Sequence, residues 1–160
     1  MKLIKYLYFV AFIILLVGCD VKEDTAWECI SDEIESFPSS YLSMALPENV
    51  FLTESSRDGR LGLFSHKDYE IIQEVFSADN TAEAIRHISG QELQPIMLPD
   101  GSARFSWISG QEMGMLCCSA VLLTDGEYYY SLCIRCPAVL EKNYREVFSE
   151  ILASVRLESV

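Results

Sequence analysis

Histidine and basic residues are scarce in this sequence. Its 160 residues contain two histidines, His66 and His87, and 12 Lys and Arg beside 24 Asp and Glu, so the net charge is −12. An acidic surface of this kind repels phosphate groups, which argues against nucleic acid as a partner. The sequence also lacks a P-loop, a Gly-x-Ser-x-Gly elbow and a zinc-protease helix. We therefore expect neither a bound metal nor a cofactor.

Long apolar runs are missing beyond the N-terminus. The longest, from Ala120 to Leu123, has four residues, whereas a membrane-spanning helix needs about 20. The N-terminus itself is different, because Lys2 and Lys5 precede an unbroken apolar run from Leu7 to Val17. A short basic segment followed by an apolar run of this length is typical of a signal peptide, and the run is too short for a permanent span.

The end of this apolar run, Leu16-Val17-Gly18-Cys19, resembles the lipobox of bacterial lipoproteins. The resemblance implies that Cys19 receives a diacylglycerol thioether, that cleavage follows Gly18, and that the new amino group is acylated. Each buried methylene contributes about 0.8 kcal/mol, so several acyl chains make a durable membrane anchor. The alternatives are an ordinary signal peptide that contains a cysteine, or an uncleaved anchor.

Processing at this site divides the chain into three parts. Residues 1–18 are the predicted signal peptide, residues 19–40 a lipidated acidic tether, and residues 41–160 a single domain, which is long enough to have its own core. Asp20 directly follows the predicted lipidated cysteine. An aspartate there resembles the signal that retains enterobacterial lipoproteins in the inner membrane. We expect the periplasmic face of that membrane, with the outer membrane as the alternative.

The predicted domain contains three Asp-Gly pairs, Asp58-Gly59, Asp100-Gly101 and Asp125-Gly126. An Asp-Gly pair between apolar segments is a strong hairpin signal, in which both turn positions favour positive φ. Alternating or β-rich segments surround these turns. The predicted strands are 49–53, 60–65, 69–76, 92–98, 103–108, 114–124 and 127–136.

Two segments interrupt the strand pattern. Residues 80–88 have the pattern of a capped helix that ends at Ser89-Gly90. Residues 137–155 begin with a proline and repeat apolar residues at helical spacing, which predicts an amphipathic helix with one face for a sheet. The predicted class is α+β, an antiparallel sheet covered by a short helix and a C-terminal amphipathic helix.

This order of elements resembles the PsbP/DcrB-like family. The similarity runs from the segment MALPENVFL to the final helix segment EILASVRLE and covers residues 41–158. The resemblance implies a small α/β/α sandwich, of a kind that is often a lipoprotein in bacteria. It also implies an accessory factor, binding module or secretion chaperone, not an enzyme. It assigns no functional residue.

Four of the six cysteines lie within residues 117–136. A turn centred on Asp125-Gly126 pairs Thr124 with Glu127, and this register places Cys118 directly opposite Cys133. Opposite residues of an antiparallel pair have Cβ atoms about 4.5–5.5 Å apart, close to disulfide range. Because the envelope outside the cytoplasm is oxidising, we predict a disulfide between Cys118 and Cys133.

The other cysteines leave alternatives open. Cys117 and Cys136 point to the opposite face of the hairpin, either as buried thiols or as a second, diagonal pair. Cys29 in the tether has no assigned partner. The motif Cys133-Ile-Arg-Cys136 keeps a thiol-disulfide redox site open, because Cys136 lies near the predicted helix start. A zinc site is disfavoured, because adjacent strand residues point to opposite faces and the thiols do not converge.

These features favour a lipid-anchored, periplasm-facing binding or accessory module. Its partners are the membrane, through Cys19, and another envelope protein, and we expect no catalysis. One alternative is an immunity lipoprotein that presents its acidic surface to a toxin. The other is an envelope thiol oxidoreductase that uses Cys133 and Cys136.

Overall fold

The computed structural model describes residues 38, 40–111 and 114–159. The predicted signal peptide, Cys19, Asp20 and Cys29 lie outside these residues. The described residues all belong to one compact unit, Phe37–Val160. No helix within this described part is long and apolar enough to cross a membrane.

The described residues form nine strands and two helices. The strands are β1 Ser40–Ser43, β2 Phe51–Ser55, β3 Leu61–Ser65, β4 Glu70–Phe76, β5 Ile96–Met97, β6 Ala103–Gln111, β7 Gly114–Thr124, β8 Tyr129–Pro137 and β9 Arg156–Ser159. The helices are α1 Thr81–Ser89, between β4 and β5, and α2 Glu141–Ser154, between β8 and β9. Seven strands form one antiparallel sheet in the order β2-β3-β4-β8-β7-β6-β5, and β1 pairs with β9 in a separate two-stranded sheet.

One helix packs on each face of the large sheet, so the predicted α+β sandwich is confirmed. Strand side chains alternate between the faces, and the buried apolar residues form two clusters accordingly. We call the side under α2 the α2 face; its cluster includes Ile71, Tyr130, Leu132, Ile134 and Phe148. We call the other side the α1 face; its cluster includes Ile85, Phe105, Ala120, Leu122 and Cys133.

Helix α1 has the ends that the sequence predicts. The Asn80 side chain accepts a hydrogen bond of 3.0 Å from the backbone N–H of Glu83. At the other end, Gly90 has a φ of 69° and donates its N–H to the carbonyl of Arg86. Left-handed φ values favour glycine, which explains why the helix stops here.

Helix α2 is shorter than predicted. The sequence pattern places a helix over residues 137–155, but Pro137 is the last residue of β8 and pairs with Leu116 of β7. The helix begins four residues later, at Glu141, and Val155 is already extended. The following residues form β9, a strand that the sequence pattern did not predict. A proline at a strand end and a proline at a helix start look alike in sequence, because both positions tolerate a missing N–H.

The hairpin turns also differ from their prediction. No residue other than glycine has a positive φ in the described residues, so the aspartates of the three Asp-Gly pairs do not adopt it. In the β7–β8 hairpin, Thr124 pairs with Tyr129, and the turn is centred on Gly126-Glu127, one residue later than predicted. Gly126, with a φ of 97°, is the first central residue, as in a type II′ turn.

Candidate functional site

The position of this turn decides which cysteines face each other. Moving the turn centre by one residue moves every strand partner by two, so each side chain keeps its face but changes its neighbour. Cys118 pairs with Arg135, and the prediction that it lies opposite Cys133 is wrong. Cys117, predicted to be diagonal to Cys136, lies directly opposite it. Cys118 and Cys133 are therefore diagonal neighbours on the α1 face.

Cys118 and Cys133 form a buried, polarised thiol pair. Their side chains hydrogen-bond each other, and this bond, with the guanidinium of Arg135, lowers the pKa of Cys118 against the opposing effect of burial. The same hydrogen bond and burial raise the pKa of Cys133. Of the two thiols, Cys118 is therefore the one that loses its proton more readily. All four described cysteines are free thiols in the structure, and the disulfide stays a prediction.

The structure separates the two cysteines of the Cys133-Ile-Arg-Cys136 motif. Strand β8 is continuous across both, so Cys133 points to the α1 face and Cys136 to the α2 face. Three residues of strand span about 10 Å, which exceeds the Cα separation of a disulfide. A redox disulfide between them would require β8 to break. Among the described residues, no group of three or more His, Cys, Asp or Glu could hold a metal ion.

A cleft of about 530 Å³ lies at the end of the sheet where β8 approaches α2. We call it the sheet-end cleft. The β3–β4 turn forms one wall, and the segment between β8 and α2 forms the other. Its lining residues are His66, Lys67, Asp68, Tyr69, Glu70, Leu116, Arg135, Cys136, Pro137 and Leu140. Its volume is within the range of ligand pockets.

Aromatic rings support one wall of the cleft. The His66 ring stacks on Tyr69 with a centroid distance of 4.3 Å, and Tyr144 of α2 meets both rings edge-on. The Tyr144 hydroxyl donates to Asp68, and this hydrogen bond raises the pKa of Tyr144 to about 12. The Nδ1 atom of His66 accepts the backbone N–H of Asp68 at 3.2 Å. These contacts fix the turn against α2.

The charged groups of the cleft are paired. Arg135 Nε donates to Glu70 Oε2 at 2.7 Å, between neighbouring strands β8 and β4. Lys67 Nζ lies 3.9 Å from the Asp68 carboxylate. A depression of about 670 Å³ beside the start of α1 is larger, but mainly polar and charged side chains line it. The sheet-end cleft is the better candidate site, because rings and ion pairs hold its walls in place.

Sequence reasoning placed His66 in a turn but assigned it no partner. It did not single out Tyr69, Tyr144 or the pair of Glu70 and Arg135. The available signal was the aromatic-charged cluster His66-Lys67-Asp68-Tyr69 between two predicted strands. The ring from α2 could not have been found in this way, because it is 76 residues from Asp68 in sequence.

Comparison with known proteins shows the fold alone. No protein-family model matches the chain, and no curated protein matches it. LpqN, described as involved in cell envelope biogenesis of Mycobacterium tuberculosis, aligns with a TM-score of 0.52 and 10% identity over 75% of this chain and 84% of LpqN. A protein of Bacteroides thetaiotaomicron VPI-5482 aligns with a TM-score of 0.50 and 13% identity over 78% of this chain and 49% of that protein. Cyanobacterial PsbP from Synechocystis sp. PCC 6803 aligns with a TM-score of 0.39 and 7% identity, over 79% of this chain and 96% of that one.

Proposed function

We propose that this protein is a lipid-anchored binding module of the cell envelope that recognises another envelope protein without catalysis. The Leu16-Val17-Gly18-Cys19 segment supports the anchor. The fold that it shares with LpqN, which is described as involved in cell envelope biogenesis, supports the envelope role. The proposed location is the periplasmic face, with Asp20 favouring the inner membrane.

Two titratable side chains at the sheet-end cleft favour binding over catalysis. Cys136 is the only cysteine among the described residues that line it; Cys136 is 1% exposed, and burial together with the nearby Cys117 raises its pKa to about 11. Tyr144 supports the wall formed by the β3–β4 turn, and its hydrogen bond to Asp68 raises its pKa to about 12. A catalytic nucleophile or base needs a pKa near the working pH. Neither group meets that condition near neutral pH.

Recognition fits the same cleft better. The half-buried His66 ring, stacked on the buried Tyr69 ring, offers a rigid surface, and Arg135 and Glu70 offer one charge of each sign beside it. Rigid aromatic groups and arginine are the side chains that dominate protein interfaces energetically. We therefore assign partner binding to the end of the sheet formed by the β3–β4 turn.

Site-specific photocrosslinking in intact cells tests this assignment. A photoreactive benzoylphenylalanine at Lys67, which is exposed beside the cleft, should give one discrete adduct with an envelope protein. The same group at Arg57, in the β2–β3 turn at the opposite end of the sheet, should give none. We expect this difference because only the first position borders the cleft.

The two histidines provide a matched control. His66 stacks on Tyr69 at 4.3 Å, and His87 of α1 stacks on Phe76 at the same distance. His66→Ala should abolish the Lys67 adduct, and His87→Ala should preserve it. Cys136→Ser should also preserve it, because the proposal gives that thiol no chemical role. An adduct that survives His66→Ala, or one of equal yield from Arg57, would show that the cleft is not the recognition site.

A further inference from the structure

A second groove, of about 330 Å³, lies on the opposite flank of α2 from the sheet-end cleft. Strands β5 and β6 form the edge of the sheet beyond β7, and side chains of both strands line this groove beside α2. Polar groups on its floor and wall include Arg104, Ser106, Ser119 and Ser149, and Ile96 and Phe148 contribute apolar surface. We call it the Arg104 groove. Its mixture of apolar walls and a few convergent polar groups is typical of small-molecule sites.

Arg104 is incompletely paired. Its Nη2 atom donates to the carbonyl of Leu152 in the last turn of α2 at 3.2 Å. Its Nε atom is buried and has no hydrogen-bond partner, and none of the ion pairs found among the described residues includes Arg104. Because Nε is closed off from solvent, a ligand in the groove would reach the guanidinium through its Nη atoms.

The other cation of the groove is already neutralised. Arg145 donates from Nε and Nη2 to the two carboxylate oxygens of Glu141, each at 2.9 Å. Arg104 therefore supplies the one uncompensated positive charge among the described groove residues. Beside it, the hydroxyls of Ser106 and Ser119 lie 3.1 Å apart on neighbouring strands, and either can turn to donate outward.

We infer that the Arg104 groove binds a single carboxylate carried on a small apolar body. The carboxylate would accept hydrogen bonds from Arg104 and from a serine hydroxyl, and the apolar body would pack on Ile96 and Phe148. A guanidinium matches a carboxylate in shape and charge. A dianion such as a phosphate monoester is disfavoured, because one free cation faces a chain of net charge −12.

Ligand binding to the full chain, purified in detergent, tests this site. The probe is 4-(4-fluorophenyl)butyrate, observed by fluorine NMR against empty micelles, and its neutral amide is the matched control ligand. The acid should bind saturably and at least about tenfold more tightly than the amide, because a hydrogen bond to a charged group contributes this much. Equal affinity for acid and amide, or no saturable binding, would refute the inference.

Variants separate the site from nonspecific binding. Arg104→Met should weaken binding of the acid about tenfold and leave the amide unchanged. Arg86→Met, on α1 at the other face of the sheet, should change neither. Arg104 also donates a hydrogen bond to a carbonyl of α2, so its replacement could disturb the helix. Ser119→Ala is therefore a second variant, which keeps the arginine. It should weaken binding of the acid and leave binding of the amide unchanged. Wild-type affinity for the acid in both variants would overturn the assignment. The result is independent of the sheet-end cleft, whose crosslinking test uses other residues.

Discussion

Asp125 holds the β7–β8 turn through its side chain. Its Oδ1 atom accepts the backbone N–H groups of Glu127 at 3.0 Å and Tyr128 at 2.8 Å, and its Oδ2 atom accepts the Tyr130 hydroxyl at 2.6 Å. Burial alone would raise the pKa of Asp125, but these hydrogen bonds outweigh burial and lower it. One carboxylate thus accepts three hydrogen bonds from groups of the hairpin that joins two central strands.

Replacing Asp125 should destabilise the protein in a pH-dependent way. Asp125→Ala should lower the free energy of unfolding by about 1–3 kcal/mol at pH 7, because the turn loses its acceptors. The folded pKa lies below the ordinary value, so the charge-dependent stabilisation is present above that ordinary value. It is lost as the pH falls through the lowered pKa. Urea unfolding at pH 7 and pH 3 measures both effects.

Asp125→Asn is the control for this prediction. The amide keeps one acceptor oxygen but carries no charge, so this variant should retain part of the stability at pH 7 and lack the Asp125 contribution to its pH dependence. If Asp125→Ala unfolds at the same urea concentration as the wild type at pH 7, the side chain does not hold the turn.

Cys19 is the residue on which the predicted anchor depends. Cys19→Ala should leave an unprocessed precursor and abolish labelling by a fatty acid analogue, because the thiol is the attachment point in lipoproteins with this motif. Labelling and electrophoretic mobility of the two proteins in growing cells measure this. Cleavage after residue 18 with retained labelling in the variant would contradict the lipoprotein interpretation.

Strands β7 and β8 contain two pairs of neighbouring thiols whose pKa values are shifted differently. Cys118 has a lowered pKa and contacts Cys133, whereas burial raises the pKa of both Cys117 and Cys136. The attacking species in disulfide formation is the thiolate. Diagonal Cα atoms lie about 7–8 Å apart, which is beyond the usual range for a disulfide, so the backbone of the two strands must move for Cys118 and Cys133 to be linked.

Oxidation should form a disulfide between Cys118 and Cys133 before it links Cys117 to Cys136. Exposure to oxidised glutathione should link Cys118 to Cys133, as read by peptide mapping without reduction. It should raise the free energy of unfolding by about 3 kcal/mol relative to the double serine variant, through loop closure. Arg135→Gln should slow this reaction, since Arg135 helps to lower the pKa of Cys118. A Cys117–Cys136 link that forms first would refute this order.

For the whole molecule, the predicted lipid anchor and Asp20 together predict residence in the inner membrane. An aspartate next to the acylated terminus can bind lipid head-group amines and so hide the lipid from the sorting machinery. Wild type should therefore band with inner membranes in density fractionation, and Asp20→Ser should move toward the outer membrane. Asp24→Ser, four residues further along the tether, is the control and should not move. If wild-type protein is found in the outer-membrane fraction, Asp20 does not act as a sorting signal.

Local patterns in the sequence determined the class of the fold. Helix α1 follows from the Asn80 cap and the Gly90 stop, and β7 was predicted with its observed bounds, Gly114–Thr124. Strand alternation also placed Cys118 and Cys133 on one face and Cys117 and Cys136 on the other, as the structure has them. These features depend on the repeat of two or 3.6 residues, which neighbouring residues define.

Only the tertiary structure decided which residues contact each other across the chain. The register of β7 and β8 could not be read from the face pattern, because moving every strand partner by two residues leaves that pattern unchanged. The sheet-end cleft joins Tyr144 to Asp68 across 76 residues and Arg135 to Glu70 across 65. The Arg104 groove likewise joins β6 to Leu152 of α2, 48 residues away. Such contacts arise from the packing of whole elements, and local sequence patterns do not specify them.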